Sequence, residues 1–255
     1  MWSVWPESVE IYLGQTVALL SQNEQEVQPV RFLPTLPVEQ VLSQLSQALA
    51  STNERRKLTN PKRRSLNVTL SAAHCPPTGF STPRGVTRWD ELRSFASATA
   101  GAGLAGSPEQ RICEMDDRGL GVAATVPVRL MTELKRWAAQ EVMQLASVRP
   151  LWALVSQCAL ARETHVKALV VQEPDAMSLI AIKDDKQAVA MTMQMTIQLA
   201  NAPEREPTVA QAHIRRWMMS VGLRQDEFLA LRFDEAAQAP LAQGPKTWAK
   251  HWRKS

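Results

Sequence analysis

Little in this sequence suggests chemistry. Cysteine occurs three times in 255 residues, as Cys75, Cys113 and Cys158, with no CxxC pair. That usage excludes a disulfide scaffold and fits a reducing compartment. The four histidines, His74, His165, His213 and His251, show no HxH or HxxxH spacing, so no metal site is expected. Ten glycines rule out a fibrous repeat. Long apolar runs are also absent: Leu151 to Val155 and Leu179 to Ile182 fall far short of the roughly 18–20 residues that a bilayer requires. No charged-then-apolar leader opens the chain, which makes the cytoplasm the default expectation.

What is present is a core-forming chain, 45% hydrophobic and 21% charged, with uneven charge. Residues 54–64 carry Arg55, Arg56, Lys57, Lys62, Arg63 and Arg64 against Glu54, a net of +5. The last twelve residues carry Lys246, Lys250, Arg253 and Lys254 without an acid, a net of +4. Since the whole chain is +4, the remainder is −5, a mildly acidic body with two basic appendages. Such runs are ordinarily solvated loops and tails; the functional alternative is attraction to nucleic acid or anionic lipid. Eight tryptophans stand against one tyrosine and five phenylalanines. Trp137, Trp152 and Trp217 fall on apolar helical faces and are expected in the core. Trp2, Trp5, Trp248 and Trp252 have no evident element to bury them and suit either a disordered end or an interface.

Periodicity gives the element order. Val9, Ile11 and Leu13 alternate as a strand, Gly14-Gln15 supplies a turn, and Thr16 to Leu20 is a second strand. Gln28 to Phe32 adds a third. Pro37 to Ala50 has the 3-and-4 spacing of an amphipathic helix, and Ser65 to Ser71 alternates as a strand. His74 to Pro83 is loop. A helix capped by Thr87 is predicted to run to Ala98, followed by a hairpin around Asp116-Asp117-Arg118-Gly119. Pro127 is expected to open a helix reaching about Ser147, and Pro150 another reaching about Arg162. The opening pattern then recurs: strands at Lys167–Val171, Met177–Ile182 and Gln187–Met193, a helix at Val209–Leu223 and a strand at Glu227–Phe233. Beyond Asp234 a mobile tail is expected. Two similar halves around an insertion imply a pseudo-duplicated α/β protein with mixed sheets.

Three stretches carry a family resemblance: the hairpin Val9–Val17, the run Ala124–Met131 with its long helix and the following Arg149-Pro150, and the meander from Ala168 to Met191. Together they resemble the actin-like (ribonuclease H-like) ATPase superfold. Within it they are similar to PilM-type pilus-assembly proteins and to the cytoplasmic domain of type II secretion protein L. The resemblance implies a division into residues 1–79 (first half of lobe 1), 80–148 (a small inserted α/β subdomain), 149–165 (a lobe-linking helix), 166–234 (a reduced lobe 2) and 235–255 (a basic tail).

An active member of that superfold places Asp-x-Gly in the turn of each hairpin, where carboxylate and glycine serve the metal and the phosphates. Here the first turn reads Tyr12-Leu13-Gly14, so the glycine survives without the carboxylate. The second reads Gln172-Glu173-Pro174-Asp175, where Pro174 removes an N–H donor and fixes φ. The late Gly-rich adenosine turn is missing as well, since Gly222 stands alone. Tyr12, Gly14, Gln172, Pro174 and Asp175 are therefore expected to mark a degenerate phosphate loop, with no catalytic residue, cofactor or metal; a displaced metal ligand is the lesser alternative for Asp175.

The other motifs read as structure. His74-Cys75 would point opposite ways on an extended segment, so the cysteine is expected to be buried and unreactive. Asp116-Asp117 and Asp184-Asp185 suit hairpin turns. Gly101 to Gly106 matches GxGxxG but follows a helix rather than a strand, which is the wrong context for a dinucleotide site.

The resemblance implies a non-catalytic scaffold peripheral to the inner membrane. It would hold a short cytoplasmic segment of a pilus or secretion membrane protein between lobe 1 and the insertion, around helix 127–147. It could also contact the assembly ATPase, and anionic lipid through the basic loop and tail. The alternatives are a nucleotide-binding protein without efficient hydrolysis and a nucleic-acid-associated basic protein; the acidic body and the absence of a reader motif disfavour the latter.

Overall fold

A computed structural model describes residues 7–22, 28–56, 64–81, 85–86, 88–101, 111–115, 121–160, 167–182, 188–194, 207–224, 227–232 and 253–254. Alternating residues from Glu7 to Gln22 fold back as the hairpin β1 (Glu7–Leu13) and β2 (Val17–Gln22), with β3 (Gln28–Arg31) completing a meander. Helix α1 (Val38–Arg56) follows Pro37, whose carbonyl accepts the first helical N–H groups. Its buried stripe of Val41, Leu42, Leu45 and Leu49 covers the sheet. The chain returns as β4 (Arg64–Leu70), parallel to β1.

The inserted piece contains β5 (Thr78–Gly79), α2 (Trp89–Gly101), β6 (Arg111–Met115) and β7 (Val122–Pro127). Its three strands form a separate small sheet in the order β5-β7-β6. The small residues Ala96 and Ala100 let α2 pack close against Phe80 and Ala123. Helix α3 (Val128–Gln140) then leads to β8 (Met143–Pro150), which lies parallel to β4 in the first sheet. The helix expected through Ser147 therefore ends seven residues early. Val142, at φ 56°, turns the chain in the left-handed region, and the apolar residues after it alternate as a strand instead of continuing the helical stripe. The first sheet is thus β3-β2-β1-β4-β8.

Helix α4 (Leu151–Leu160) leads into the second half: β9 (Ala168–Gln172), β10 (Ala176–Ile182), β11 (Ala188–Gln194), α5 (Pro207–Val221) and β12 (Phe228–Arg232). The sheet order β11-β10-β9-β12 repeats β3-β2-β1-β4, with the inner pair β9 and β12 parallel as β1 and β4 are. The duplication expected from element order is therefore present in the hydrogen bonding. Helix α5 ends at Gly222 (φ 75°), where the amides of Gly222 and Leu223 bond back to the carbonyls of Met219 and Met218. That lone glycine is a helix terminator. Arg253–Lys254 form β13, which pairs antiparallel with β12; these two residues of the expected mobile tail instead extend an otherwise open sheet edge.

Period-2 alternation splits the second sheet between two cores. Ala168, Val170, Met177, Leu179 and Ala181 face Trp217 and Met218 of α5. Leu169, Val171, Ile180, Leu229 and Leu231 join the core built by β1, β4, α1, α3 and α4, so the two lobes share a continuous apolar interior. Trp152 is fully buried in it.

Candidate functional site

The site lies where the two hairpin turns meet. Gly14, Gln15 and Thr16 connect β1 to β2, closed by the Gly14 amide donating to the Val17 carbonyl at 2.9 Å. Glu173, Pro174 and Asp175 connect β9 to β10, closed in the same way by Glu173 N–H to the Ala176 carbonyl at 2.7 Å. The turns are structural counterparts, with Gly14 matching Glu173, Gln15 matching Pro174 and Thr16 matching Asp175. They differ in what they offer. The first presents the backbone amides of Gln15 and Thr16 and no charged side chain; the second presents two carboxylates and, at Pro174, no amide hydrogen.

These complementary sets bond to each other. The Asp175 carboxylate accepts the amide hydrogen of Gln15 and, at 3.3 Å, that of Thr16, both on Oδ2. Its Oδ1 accepts the Ser71 hydroxyl at 2.9 Å. Glu173 Oε2 accepts the Tyr12 hydroxyl at 2.9 Å, and the Ala72 amide donates to Oε1 and Oε2 at 3.1 and 3.3 Å. Ser71 and Ala72 sit just past the C-terminal end of β4, where the Ser71 amide still bonds to Leu13 across the sheet. All of these donors stand at the carboxyl ends of parallel strands, the usual location of α/β binding crevices. His74 closes the rim, its Nε2 lying 2.9 Å from the Gly14 carbonyl oxygen.

Both acids are 2% exposed. Burial pushes the Glu173 carboxyl up to about 8, only partly opposed by the hydrogen bonds that Ala72 and Tyr12 donate to it. Burial, followed by the two neighbouring acids, drives Tyr12 well above the ordinary phenol range. Among the described residues neither carboxylate is bonded to a lysine or arginine. A second row of polar groups crosses β1, β4 and β8: Asn67 donates to Glu10 at 2.7 Å and accepts from Ser147 at 2.7 Å. Desolvation raises Glu10 to about 7.

The five positions expected to mark a degenerate phosphate loop, Tyr12, Gly14, Gln172, Pro174 and Asp175, are brought to this one junction. Gln172 ends β9 beside it, with no hydrogen bond to the acids. Glu173, Ser71, Ala72 and His74 belong to it too, and the sequence reading did not single them out as site residues. Residues 72–75 are a turn and not an extended segment, because the amides of His74 and Cys75 both fold back to the Ser71 carbonyl. Cys75 is buried, and its carbonyl accepts Trp152 Nε1–H at 2.9 Å. Among the described residues no group of three or more His, Cys, Asp or Glu side chains is arranged to hold a metal. His213 is exposed on α5. Asp116-Asp117, Asp184-Asp185, His165, His251, Thr87, Gly103, Gly106, Lys57, Lys62, Arg63, Lys246, Lys250 and the tryptophans at 2, 5, 248 and 252 lie outside the described residues.

No protein-family model matches the chain, and no curated protein does. Solved structures do. A Bacteroides thetaiotaomicron protein with the actin-like ATPase fold aligns at TM-score 0.54 and 7% identity, over 91% of this chain and 83% of that one. A chain of the PilM–PilN type IV pilus biogenesis complex aligns at TM-score 0.58 and 11% identity, over 88% of this chain and 81% of its own. The cytoplasmic domain of EpsL, an inner-membrane component of the Vibrio cholerae type II secretion system, aligns at TM-score 0.48 and 14% identity, over 93% and 87%. The fold is the actin-like ATPase fold, as the resemblance implied.

Proposed function

We propose that this chain is a non-catalytic actin-like scaffold of a type IV pilus or type II secretion assembly platform. It works at the cytoplasmic face of the inner membrane and binds a short cytoplasmic segment of a membrane partner. The observation that carries the reading is the seat of Asp175: the first-hairpin amides that a phosphate would need are taken by the chain's own carboxylate. Pro174 leaves the second turn without the matching donor. An enzyme of this fold would need both turns open. The alternative of nucleotide binding without turnover meets the same obstacle.

The similarity to a chain of the PilM–PilN complex supports the pilus setting. No described helix is long and apolar enough to cross a membrane. The partner segment is assigned to the region of α3 and the small sheet, held to lobe 1 through α1; the assembly ATPase is a second candidate partner. The basic residues at 54–64 and 246–254 would add contact with anionic lipid.

The test is capture by the tagged full chain from detergent-solubilised membranes of the source organism. Recovery of a single-span inner-membrane protein, with no change in melting temperature under millimolar ATP or ADP with magnesium, supports the reading. Recovery of nucleic acid alone, or a melting shift with nucleotide, overturns it.

A further inference from the structure

The contact between the two turns joins segments 160 residues apart, one from each lobe. Every donor comes from lobe 1: the amides of Gln15, Thr16 and Ala72 and the hydroxyls of Tyr12 and Ser71. Both acceptors, Glu173 and Asp175, come from lobe 2, and both are buried. Successive backbone amides supported by a hydroxyl are the usual protein device for holding a phosphate or carboxylate anion. Gly14 has no Cβ to obstruct the approach; one built there would stand 2.6 Å from Asp175 Oδ2. The seat is therefore shaped around an anion, and the anion belongs to the chain.

We propose that Asp175, with Glu173 docked beside it, acts as a built-in anionic ligand, a latch that holds the two lobes together where a bound small molecule would otherwise be needed. Asp175 supplies the charge seated on the Gln15 and Thr16 amides, and Glu173 docks beside it as the neutral acid. The titratable groups facing the pair are Tyr12 on β1, whose hydroxyl donates to Glu173, and His74 beyond the Gly14 carbonyl, with Glu10 next along β1. None of the donors is a lysine or arginine, so a second negative charge at Glu173 has only dipoles to offset it. The inference extends the non-catalytic reading of this turn and is independent of the pilus assignment. A failed latch leaves partner capture untouched, and failed capture leaves the latch untouched.

The experiment is hydrogen–deuterium exchange on the full chain, followed over peptides containing residues 13–17 and 71–75, with α1 residues 41–49 as a control for folding. In the wild type the amides of Gln15, Thr16 and Ala72 are protected. Asp175→Ala lowers that protection by about ten- to a hundredfold, the effect of removing a charge-assisted acceptor, and Asp175→Asn lowers it less. Inorganic phosphate restores protection in Asp175→Ala and leaves the wild type unchanged. After correction for intrinsic exchange, raising the pH past about 8 loosens the wild type but not Glu173→Gln, which has no proton to lose there. Unchanged protection in Asp175→Ala overturns the latch, and so does a phosphate effect on the wild type equal to that on the variant. If Asp175→Ala also loses protection in α1, Asp175→Asn and the wild-type pH series decide: no loosening in either overturns the proposal.

Discussion

A methyl group on Gly14 would collide with the Asp175 carboxylate: the added Cβ would stand 2.6 Å from Oδ2 and 2.8 Å from the carbonyl oxygen of Val17. The glycine that resembles part of a phosphate loop is thus needed here for the close approach of another part of the chain. Gly14→Ala is expected to destabilise the protein by roughly 1–3 kcal/mol, the usual cost of overpacking. The cost should be smaller in an Asp175→Ala background, where one obstacle is gone and the Val17 carbonyl and, at 3.2 Å, the Tyr12 ring remain. Urea unfolding of the four proteins in a double-mutant cycle measures the coupling. Strict additivity would mean that the two residues do not share the space.

The pH dependence follows from the buried acid. Glu173 holds its proton up to about 8 when folded but releases it near 4.5 when unfolded. Between those values the native state binds a proton that the unfolded state has lost, so stability falls as pH rises, by at most about 1.4 kcal/mol per unit, and levels off above about 8. Glu10, raised to about 7, slopes the same way over the lower part of the window. Glu173→Gln should flatten the profile, most cleanly close to pH 8, where Glu10 is mostly ionised and adds little slope. Unfolding free energies measured from pH 5 to 9 check this; parallel profiles for wild type and variant would show that Glu173 is ordinarily ionised.

Both hairpins were legible, the first because Val9, Ile11 and Leu13 alternate with Ser8 and Glu10, the second because Ala168 to Val171 is a short apolar run rich in valine before a turn. The repeated order followed from them. The end of α3 was not legible, because Val142 and Leu145 keep helical spacing and only the backbone turn at Val142 separates helix from strand. The turn chemistry was half legible. Pro174 announced a missing donor, and the lack of an acid before Gly14 announced a missing ligand. Where the acids of the second turn would go was hidden, since local pattern does not report a bond between Asp175 and Gln15. Ser71 and Ala72 escaped notice because the end of a strand followed by a Pro-rich loop reads as connection, although it is there that unpaired amides collect.

Trp152 ties α4 to the turn behind the site. It is 1% exposed, and its Nε1–H reaches the Cys75 carbonyl at 2.9 Å. Trp152→Phe keeps most of the apolar volume and loses one buried hydrogen bond, for a cost of about 1 kcal/mol. Trp152→Ala opens a cavity in the shared interior and is expected to cost about 3–5 kcal/mol. Thermal or denaturant unfolding separates the two. Equal costs would mean that the hydrogen bond, and not the packing, is what the indole contributes.

Helix α3, assigned above to the partner-binding region, is fixed to lobe 1 by a short polar chain. Trp137 Nε1–H donates to Ser46 Oγ at 2.9 Å, and the Ser46 hydroxyl donates to Glu141 at 2.5 Å, so one side chain of α1 serves both ends of the link. Ser46→Ala strands the buried indole N–H and is expected to cost roughly 1–3 kcal/mol, the penalty for an unsatisfied donor. Trp137→Phe leaves the Ser46–Glu141 bond intact and removes the donor itself, so in a Trp137→Phe background the Ser46→Ala penalty should shrink to that of the outer bond alone. The surface pair Arg129–Glu39 joins the same two helices at 2.8 Å but is open to solvent, and Arg129→Ala should leave stability nearly unchanged. Denaturant titration of these variants ranks the ties. If Arg129→Ala proved costlier than Ser46→Ala, the buried chain would not be what positions α3.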